Sequence, residues 1–171
     1  SPVDVIEEYL RPARCLENGQ LVIKPALSEP EFLEFEKLGT LEAFITDGLR
    51  TMIETLTVPE MVEKTLRYPG HREKMLALRQ AGFFSEQPVE IAGQKIRPVD
   101  LSAKILFPRL NVEAGEEDLT ILRVIISGEK DGQPLRLTYD LFDRFDRKSG
   151  IHSMARTTGY TATAVARAVA R

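Results

Sequence analysis

The alternation of hydrophobic and polar positions predicts a series of short strands, two pairs of which are closely connected along the chain. The clearest hairpin joins residues 13–17 and 20–24, because Asn18-Gly19 between them suits a type I′ turn. Residues 119–127 and 134–142 are predicted as longer strands on either side of a polar connection, 128–132. These short connections favour antiparallel pairing.

Four further segments have the composition of strands. Residues 41–45 and 63–68 are predicted as strands, and residues 89–91 and 95–96 are expected to pair across Ala92-Gly93. Residues 31–36 also fit a short strand, with a helix as the alternative.

Helical signals lie between these strands. Ser1 is predicted as the N-cap of a first helix that stops near residues 9–10, and a second helix runs from His71 to about residue 81. A third helix is predicted over residues 98–107 with Pro108 ending it, and a last one from about Ser153 to the final residue. The chain is therefore expected to be one α+β domain, residues 1–171, in which helices pack on one side of a mixed, largely antiparallel sheet.

Composition narrows the classes of function. The chain has 23 basic and 26 acidic residues, for a net charge of −3, and 43% of its residues are hydrophobic. This balance argues against disorder and against a generally basic nucleic-acid-binding protein. Without a membrane-length apolar run or a signal peptide, we expect a cytoplasmic protein that binds neither nucleic acid nor a membrane.

Motifs for nucleotides and metals are missing. The 11 glycines never fall as G-x-G-x-x-G or as G-x-x-x-x-G-K-[ST], so the chain has no recognisable phosphate cradle of its own. Cys15, His71 and His152 are the only cysteine and histidines, and they do not form a zinc pattern. We therefore expect no metal.

Polar residues collect in three segments where strands end or helices begin. The first contains Thr46, Asp47 and Arg50 beside Gly48, whose lack of a side chain permits a close backbone approach. Its simpler interpretation is a helix that Asp47 caps, with Arg50 in a surface ion pair.

The second segment places Arg67 and Tyr68 at the end of a strand and His71 at the start of a helix. An arginine can grip a carboxylate, and tyrosine and histidine can handle protons. The alternative is a structural turn in which Tyr68 packs and His71 is a partly exposed cap.

The third segment, residues 153–163, opens the last helix with several hydroxyl groups, Arg156 and a glycine. Such a helix N-terminus could hold an anion. Its small residues at helical spacing also fit close packing against a neighbouring element.

These three segments, residues 41–51, 63–71 and 153–160, together resemble the C-terminal domain of saccharopine dehydrogenase-like enzymes, in particular the lysine 6-dehydrogenase branch. The resemblance spans nearly the whole chain and keeps the order of the segments. It implies an oxidoreductase with an N-terminal Rossmann domain for NAD or NADP, followed by an α+β domain that binds a small amino-acid substrate and builds a homodimer. This chain then corresponds to the second domain alone, a fragment that is inactive without the first.

The resemblance also implies roles for individual residues. Arg67 would grip the substrate's carboxylate, Thr46 and Asp47 would hold its ammonium group, and Tyr68 and His71 would position or exchange a proton. The remaining substrate-binding residues face the cleft from the last helix: Arg156, Thr157 and Thr158. The alternative hypothesis is a non-catalytic dimerisation or ligand-binding module on the same scaffold.

Overall fold

The computed structural model describes residues 2–110 and 115–171, with the side chains of residues 2–4 left out of the description. Ser1, predicted as an N-cap, lies outside the described residues. The chain divides into two compact units, Ser1–Leu110 and Asn111–Arg171, and each is described by itself.

The first unit alternates short helices with short strands. In chain order its elements are α1 (Pro2–Glu7), β1 (Ala13–Glu17), β2 (Gln20–Lys24), β3 (Glu31–Phe35), β4 (Gly39–Ile45), α2 (Met52–Thr55), β5 (Lys64–Arg67), α3 (His71–Gln80), β6 (Val89–Ile91), β7 (Gln94–Ile96) and α4 (Pro98–Leu110). The second unit consists of β8 (Leu119–Lys130), β9 (Gln133–Arg144) and α5 (Ser153–Val169).

All strand pairs in the described residues are antiparallel, which together with the helices confirms the predicted α+β class. The strands are divided among several small sheets. β3, β4 and β5 form a three-stranded sheet with β4 in the centre, and the pairs β1–β2, β6–β7 and β8–β9 are two-stranded. Residues 31–36 thus adopt the predicted strand and not the alternative helix.

Two-residue turns set the register of the hairpins. Asn18 and Gly19 have φ angles of 51° and 75°, as a type I′ turn requires, and the predicted pairing of β1 with β2 is confirmed. Asp131 and Gly132 form a similar turn, with φ of 53° and 73°. The prediction of a five-residue loop at 128–132 was therefore wrong, because this compact turn lets both strands continue to its edges.

The helix ends show one confirmed stop signal and one that failed. After α3, Gly82 adopts a φ of 87° and donates to the carbonyl of Arg79, while Phe83 donates to that of Leu78, which is the Schellman pattern. α4, in contrast, continues past Pro108 to Leu110. A proline this close to the end of a helix removes only one backbone N–H from it.

The core of the first unit is organised around β4. Phe44 is fully buried in a cluster that α1, α3 and α4 complete, whereas its neighbour Ile45 packs in a second cluster with Ala13 and Cys15. Because successive residues of a strand point to opposite faces, β4 contributes to both clusters and is fixed from both sides.

The second unit presents an apolar surface on the β8–β9 ribbon. Leu122 lies opposite Leu141, Val124 opposite Tyr139, and Ile126 opposite Leu137. These six side chains share one face and are 37–58% exposed. We call this set the ribbon face.

Asp118 connects the ribbon to the start of α5. Its carboxylate accepts hydrogen bonds from the backbone N–H groups of Ser153, at 2.7 Å, and Met154, at 2.9 Å. The N-cap residue, His152, makes no side-chain cap bond. Asp118 therefore satisfies two N–H groups that the helix itself cannot. No helix in the described parts of the chain is long and apolar enough to span a membrane.

Replacing Asp118 tests this capping interaction. We expect Asp118→Ala to lower the free energy of unfolding of the second unit by about 1–2 kcal/mol, because two N–H groups lose their acceptor. Urea denaturation followed by circular dichroism measures the change. Glu129→Ala, an exposed substitution in the same ribbon, is the control; equal loss in the two variants would contradict the capping role.

Candidate functional site

The pairing of β4 with β5 brings two distant polar groups together. Phe44 lies opposite Thr65 and Ile45 opposite Lys64, so the residues just beyond these pairs, Thr46 and Glu63, become neighbours. The Thr46 hydroxyl donates to Oε2 of Glu63 at 2.6 Å and lies 2.8 Å from the Thr65 hydroxyl.

A cleft of about 580 Å³ opens at this end of the sheet. Its wall carries four carboxylates and three guanidinium groups, with polar residues between them. The lining residues are Glu7, Glu8, Arg11, Thr46, Asp47, Gly48, Arg50, Glu63, Thr65 and Arg67. All of them belong to the first unit.

Asp47 is held by an arginine from β1. The Arg14 side chain donates to both carboxylate oxygens of Asp47, at 3.0 and 3.2 Å, and the Arg14 backbone N–H adds a third bond at 3.2 Å. The hydrogen bonds from Arg14 hold the pKa of Asp47 below its ordinary value, although burial opposes this effect. α2 instead begins after Thr51, so Asp47 is not its cap.

Arg67 is likewise paired within the chain. One of its terminal nitrogens donates to both carboxylate oxygens of Glu8, at 3.0 and 3.1 Å, and the other donates to the carbonyl of Leu66 at 2.9 Å. The fork of the guanidinium group is thus already engaged by a carboxylate of the same cleft wall.

His71 and Tyr68 lie next to Arg67 in sequence but are not among the residues that line the cleft. His71 Nε2 is 3.0 Å from the hydroxyl of Tyr9, whose side chain is buried. Burial lowers the pKa of His71, and the charge of Arg67 lowers it further, which favours the neutral ring. Tyr68 is 60% exposed.

The predicted residues of α5 belong to the second unit. Arg156 faces Asp143 at 3.4 Å and Asp146 at 3.9 Å, and the Thr157 hydroxyl donates to a carbonyl of its own helix. Thr158 is exposed. The helix N-terminus that could hold an anion already receives the carboxylate of Asp118.

The structure therefore brings Thr46, Asp47 and Arg67 to one cleft, together with residues that the sequence did not assign to a site. Glu63 is the clearest of these. Burial raises its pKa, although hydrogen bonds from the Thr46 hydroxyl and the Gly48 N–H oppose the rise. Its position before a strand carries no local signal of function, because its neighbours come from elsewhere in the chain.

Gly48 leaves room for this carboxylate. A Cβ atom at Gly48 would stand 2.5 Å from Cδ of Glu63, closer than two carbon atoms that are not bonded to each other can approach, so the Glu63 side chain would have to move. The sequence led us to expect that another group approaches the backbone closely at Gly48, and this group is the Glu63 side chain.

Neither a metal cluster nor a dinucleotide cradle is evident in the described residues. Residues 2–110 and 115–171 contain no group of three or more histidine, cysteine or acidic side chains suited to a metal ion. Of the helix N-termini, the one richest in hydroxyl groups is filled by Asp118. The start of α5 is therefore not open to the pyrophosphate of a nicotinamide cofactor.

The raised pKa of Glu63 has a consequence for stability. A folded state that binds this proton more tightly than the unfolded chain loses stability as the pH rises through the shifted pKa. We therefore expect Glu63→Gln to unfold at a higher temperature than the wild type at about pH 7, and this difference to shrink towards about pH 3, where Glu63 is protonated in both states. Thermal denaturation at both pH values measures it, with Glu90→Gln on an exposed strand as the control. A constant difference across this range would contradict the assignment.

Comparison with known proteins agrees with this architecture. The structure of apo histidine-tagged saccharopine dehydrogenase (L-Glu forming) from Saccharomyces cerevisiae is similar to this chain, with a TM-score of 0.70 and 16% sequence identity. The match covers 94% of this chain and 50% of the yeast chain, so this chain spans half the length of that protein. At this identity the likeness shows the fold.

The family comparison is more specific. The model of the saccharopine dehydrogenase C-terminal domain matches residues 1–171, which is the full length of the sequence. The chain belongs to the saccharopine dehydrogenase C-terminal domain family.

Proposed function

We propose that this chain is the substrate-binding and dimerisation domain of an NAD(P)-dependent amino-acid dehydrogenase of the lysine 6-dehydrogenase branch. The complete enzyme would transfer a hydride between a nicotinamide and the amine-bearing carbon of a small amino acid, by way of an imine. The cleft of the first unit carries this proposal, because it places groups of both charges on one wall.

An amino acid makes two opposite electrostatic demands on its site. Its carboxylate needs a cation or several N–H donors, and its ammonium group needs acceptors. The cleft offers Arg11, Arg50 and Arg67 alongside four carboxylates, and its volume of about 580 Å³ is ample for one amino acid. Family membership makes such a substrate the natural occupant.

The proposed site residues fall into two groups. Thr46, Asp47 and Arg67 are proposed to shape the cleft, with Asp47 and Arg67 each held by an internal partner. Tyr68 and His71 remain proposed proton-handling residues, and Arg156, Thr157 and Thr158 remain proposed substrate-binding residues.

The cofactor is proposed to bind outside this chain, in an N-terminal Rossmann domain of a longer cytoplasmic protein. The residues described here supply no phosphate cradle, so their contribution would be to hold and orient the amino acid and to exclude water from it. The isolated chain would then bind substrate without turning it over.

Arg67→Ala in the complete enzyme tests the proposed site. We expect kcat/KM for the preferred amino acid, identified by screening amino acids with NAD and NADP, to fall by about tenfold or more, because Glu8 is left without its partner in the cleft wall. Arg97→Ala is the matched control, since Arg97 makes a similar two-bond pair with Asp100 away from the cleft.

Two outcomes would contradict the proposal. An Arg67→Ala enzyme with unchanged kcat/KM would remove this cleft from the substrate site. A complete protein that binds amino acids but oxidises none with either cofactor would instead support the non-catalytic ligand-binding alternative.

The ribbon face supports the proposed homodimer. Its six apolar side chains form a continuous exposed strip, and exposed strips of this kind commonly mark protein interfaces. A two-fold axis would allow the same strip on two copies to cover itself.

A charge placed on the ribbon face tests this interface. We expect Leu137→Lys to convert a dimer into a monomer in sedimentation velocity at micromolar concentration, because lysine cannot be buried there without a partner. Thr138→Lys is the control, since Thr138 lies next along β9 and points to the opposite face. A monomeric wild-type protein would contradict the proposal.

A further inference from the structure

We infer that Arg50 and Glu63 are the two groups that receive the carboxylate and the ammonium group of the ligand, and that Arg67 and Asp47 are structural members of the same wall. This inference rests on the proposed function of the cleft. It follows from asking which of the seven charged side chains in the lining still lack an oppositely charged partner.

The cations of the cleft differ in this respect. Arg67 donates two hydrogen bonds to Glu8, and Arg11 forms an ion pair with Glu7. Within the described parts of the chain, Arg50 has no hydrogen bond or ion pair, although its charge contributes to keeping Asp47 ionised. An incoming carboxylate would therefore meet an unengaged fork at Arg50, whereas at Arg67 it would have to displace Glu8.

The four carboxylates of the cleft also differ in whether an arginine binds them. Asp47 is bound by Arg14, and Glu7 and Glu8 are bound by the two paired arginines. Glu63 accepts hydrogen bonds only from neutral donors, the Thr46 hydroxyl and the Gly48 N–H, in the residues that the structure describes.

The geometry of those two bonds leaves one oxygen of Glu63 free. Both donors reach Oε2, so Oε1 has no hydrogen-bond partner in the described residues. A half-buried carboxylate without a cation is electrostatically incomplete, and an ammonium group is the partner that completes it. Burial also raises the pKa of Glu63, which is the response expected of a carboxyl group in this position.

The Glu63 carboxylate is held in place, and the backbone at Arg50 is strained. The Gly48 N–H and the Thr46 hydroxyl, which itself lies 2.8 Å from the Thr65 hydroxyl, both donate to Glu63. Arg50 adopts a φ of 50°, a conformation that costs energy for a residue with a side chain. This backbone conformation occurs in the connection that follows β4, between Gly48 and α2.

The ligand class follows from these two contacts. It is a small amino acid that keeps one free carboxylate and one free ammonium group, and a derivative with either charge removed loses one of the two contacts. L-Lysine satisfies this condition, and its derivatives allow each charge to be removed separately.

Calorimetric titration of the complete enzyme tests the assignment with four probes: L-lysine, L-lysinamide, Nα-acetyl-L-lysine and Nε-acetyl-L-lysine. Arg50→Gln should weaken binding of L-lysine by tenfold or more but leave the already weakened binding of L-lysinamide unchanged, because the amide has no carboxylate for Arg50 to bind. Arg50→Lys should recover part of the affinity for L-lysine.

Glu63→Gln should weaken the binding of L-lysine by a similar factor. Nα-acetyl-L-lysine keeps only the ε-ammonium group, and Nε-acetyl-L-lysine keeps only the α-ammonium group. Glu63→Gln should weaken the binding of whichever of the two keeps the ammonium group that contacts Glu63, and should leave the binding of the other unchanged. Arg136→Gln and Glu90→Gln, both exposed and outside the cleft, are the matched controls and should bind L-lysine as the wild type does.

The outcomes separate this inference from the proposed function. If the wild type binds L-lysine and both variants bind it equally well, the assignment of Arg50 and Glu63 is wrong while the amino-acid site stands. If Arg50→Gln weakens L-lysinamide as much as L-lysine, the carboxylate contact is wrong. If the wild type binds neither L-lysine nor any other amino acid of the substrate screen, the proposed function fails and the inference fails with it.

Discussion

The register between β4 and β5 is the constraint on which the rest of the first unit depends. β4 is buried on both faces, with Phe44 in one cluster and Ile45 in another, so a shift along its partner by one residue would place each side chain in the cluster that is packed around the other. Its pairing with β5 then carries Thr46 to Glu63, and the chain turns away at Gly48 against that same carboxylate. The cleft is a consequence of how the strand packs.

Ion pairing separates the charged residues around the cleft into structural residues, which have a partner within the chain, and residues that are proposed to bind the ligand. Arg14 with Asp47 and Arg67 with Glu8 connect elements that are far apart in sequence, and each pair satisfies both of its members. Glu63 is different, since it is half-buried and has no cationic partner among the residues that the structure describes. A group that lowers stability in the empty site and gains a partner on binding is typical of functional positions, where stability is given up for activity.

Much of the fold could be predicted because its signals are local. Asn18-Gly19 determines a turn by its own backbone preferences, and Gly82 ends α3 in the same way. The site was predicted only in part. The sequence indicated the region through Thr46, Asp47 and Arg67, but it did not indicate which residues these side chains bind. Glu8 and Arg14 are 59 and 33 residues away from the side chains they bind, and no local pattern reveals such a pair.

A crystal structure of the complete enzyme with a bound amino acid would test the central claim most directly. We predict that the ligand lies in the cleft of the first unit, with its carboxylate on the guanidinium group of Arg50 and an ammonium nitrogen on Oε1 of Glu63, while the Arg67–Glu8 and Arg14–Asp47 pairs stay intact. A ligand whose carboxylate displaces Glu8 from Arg67, or one bound away from this cleft, would contradict the account.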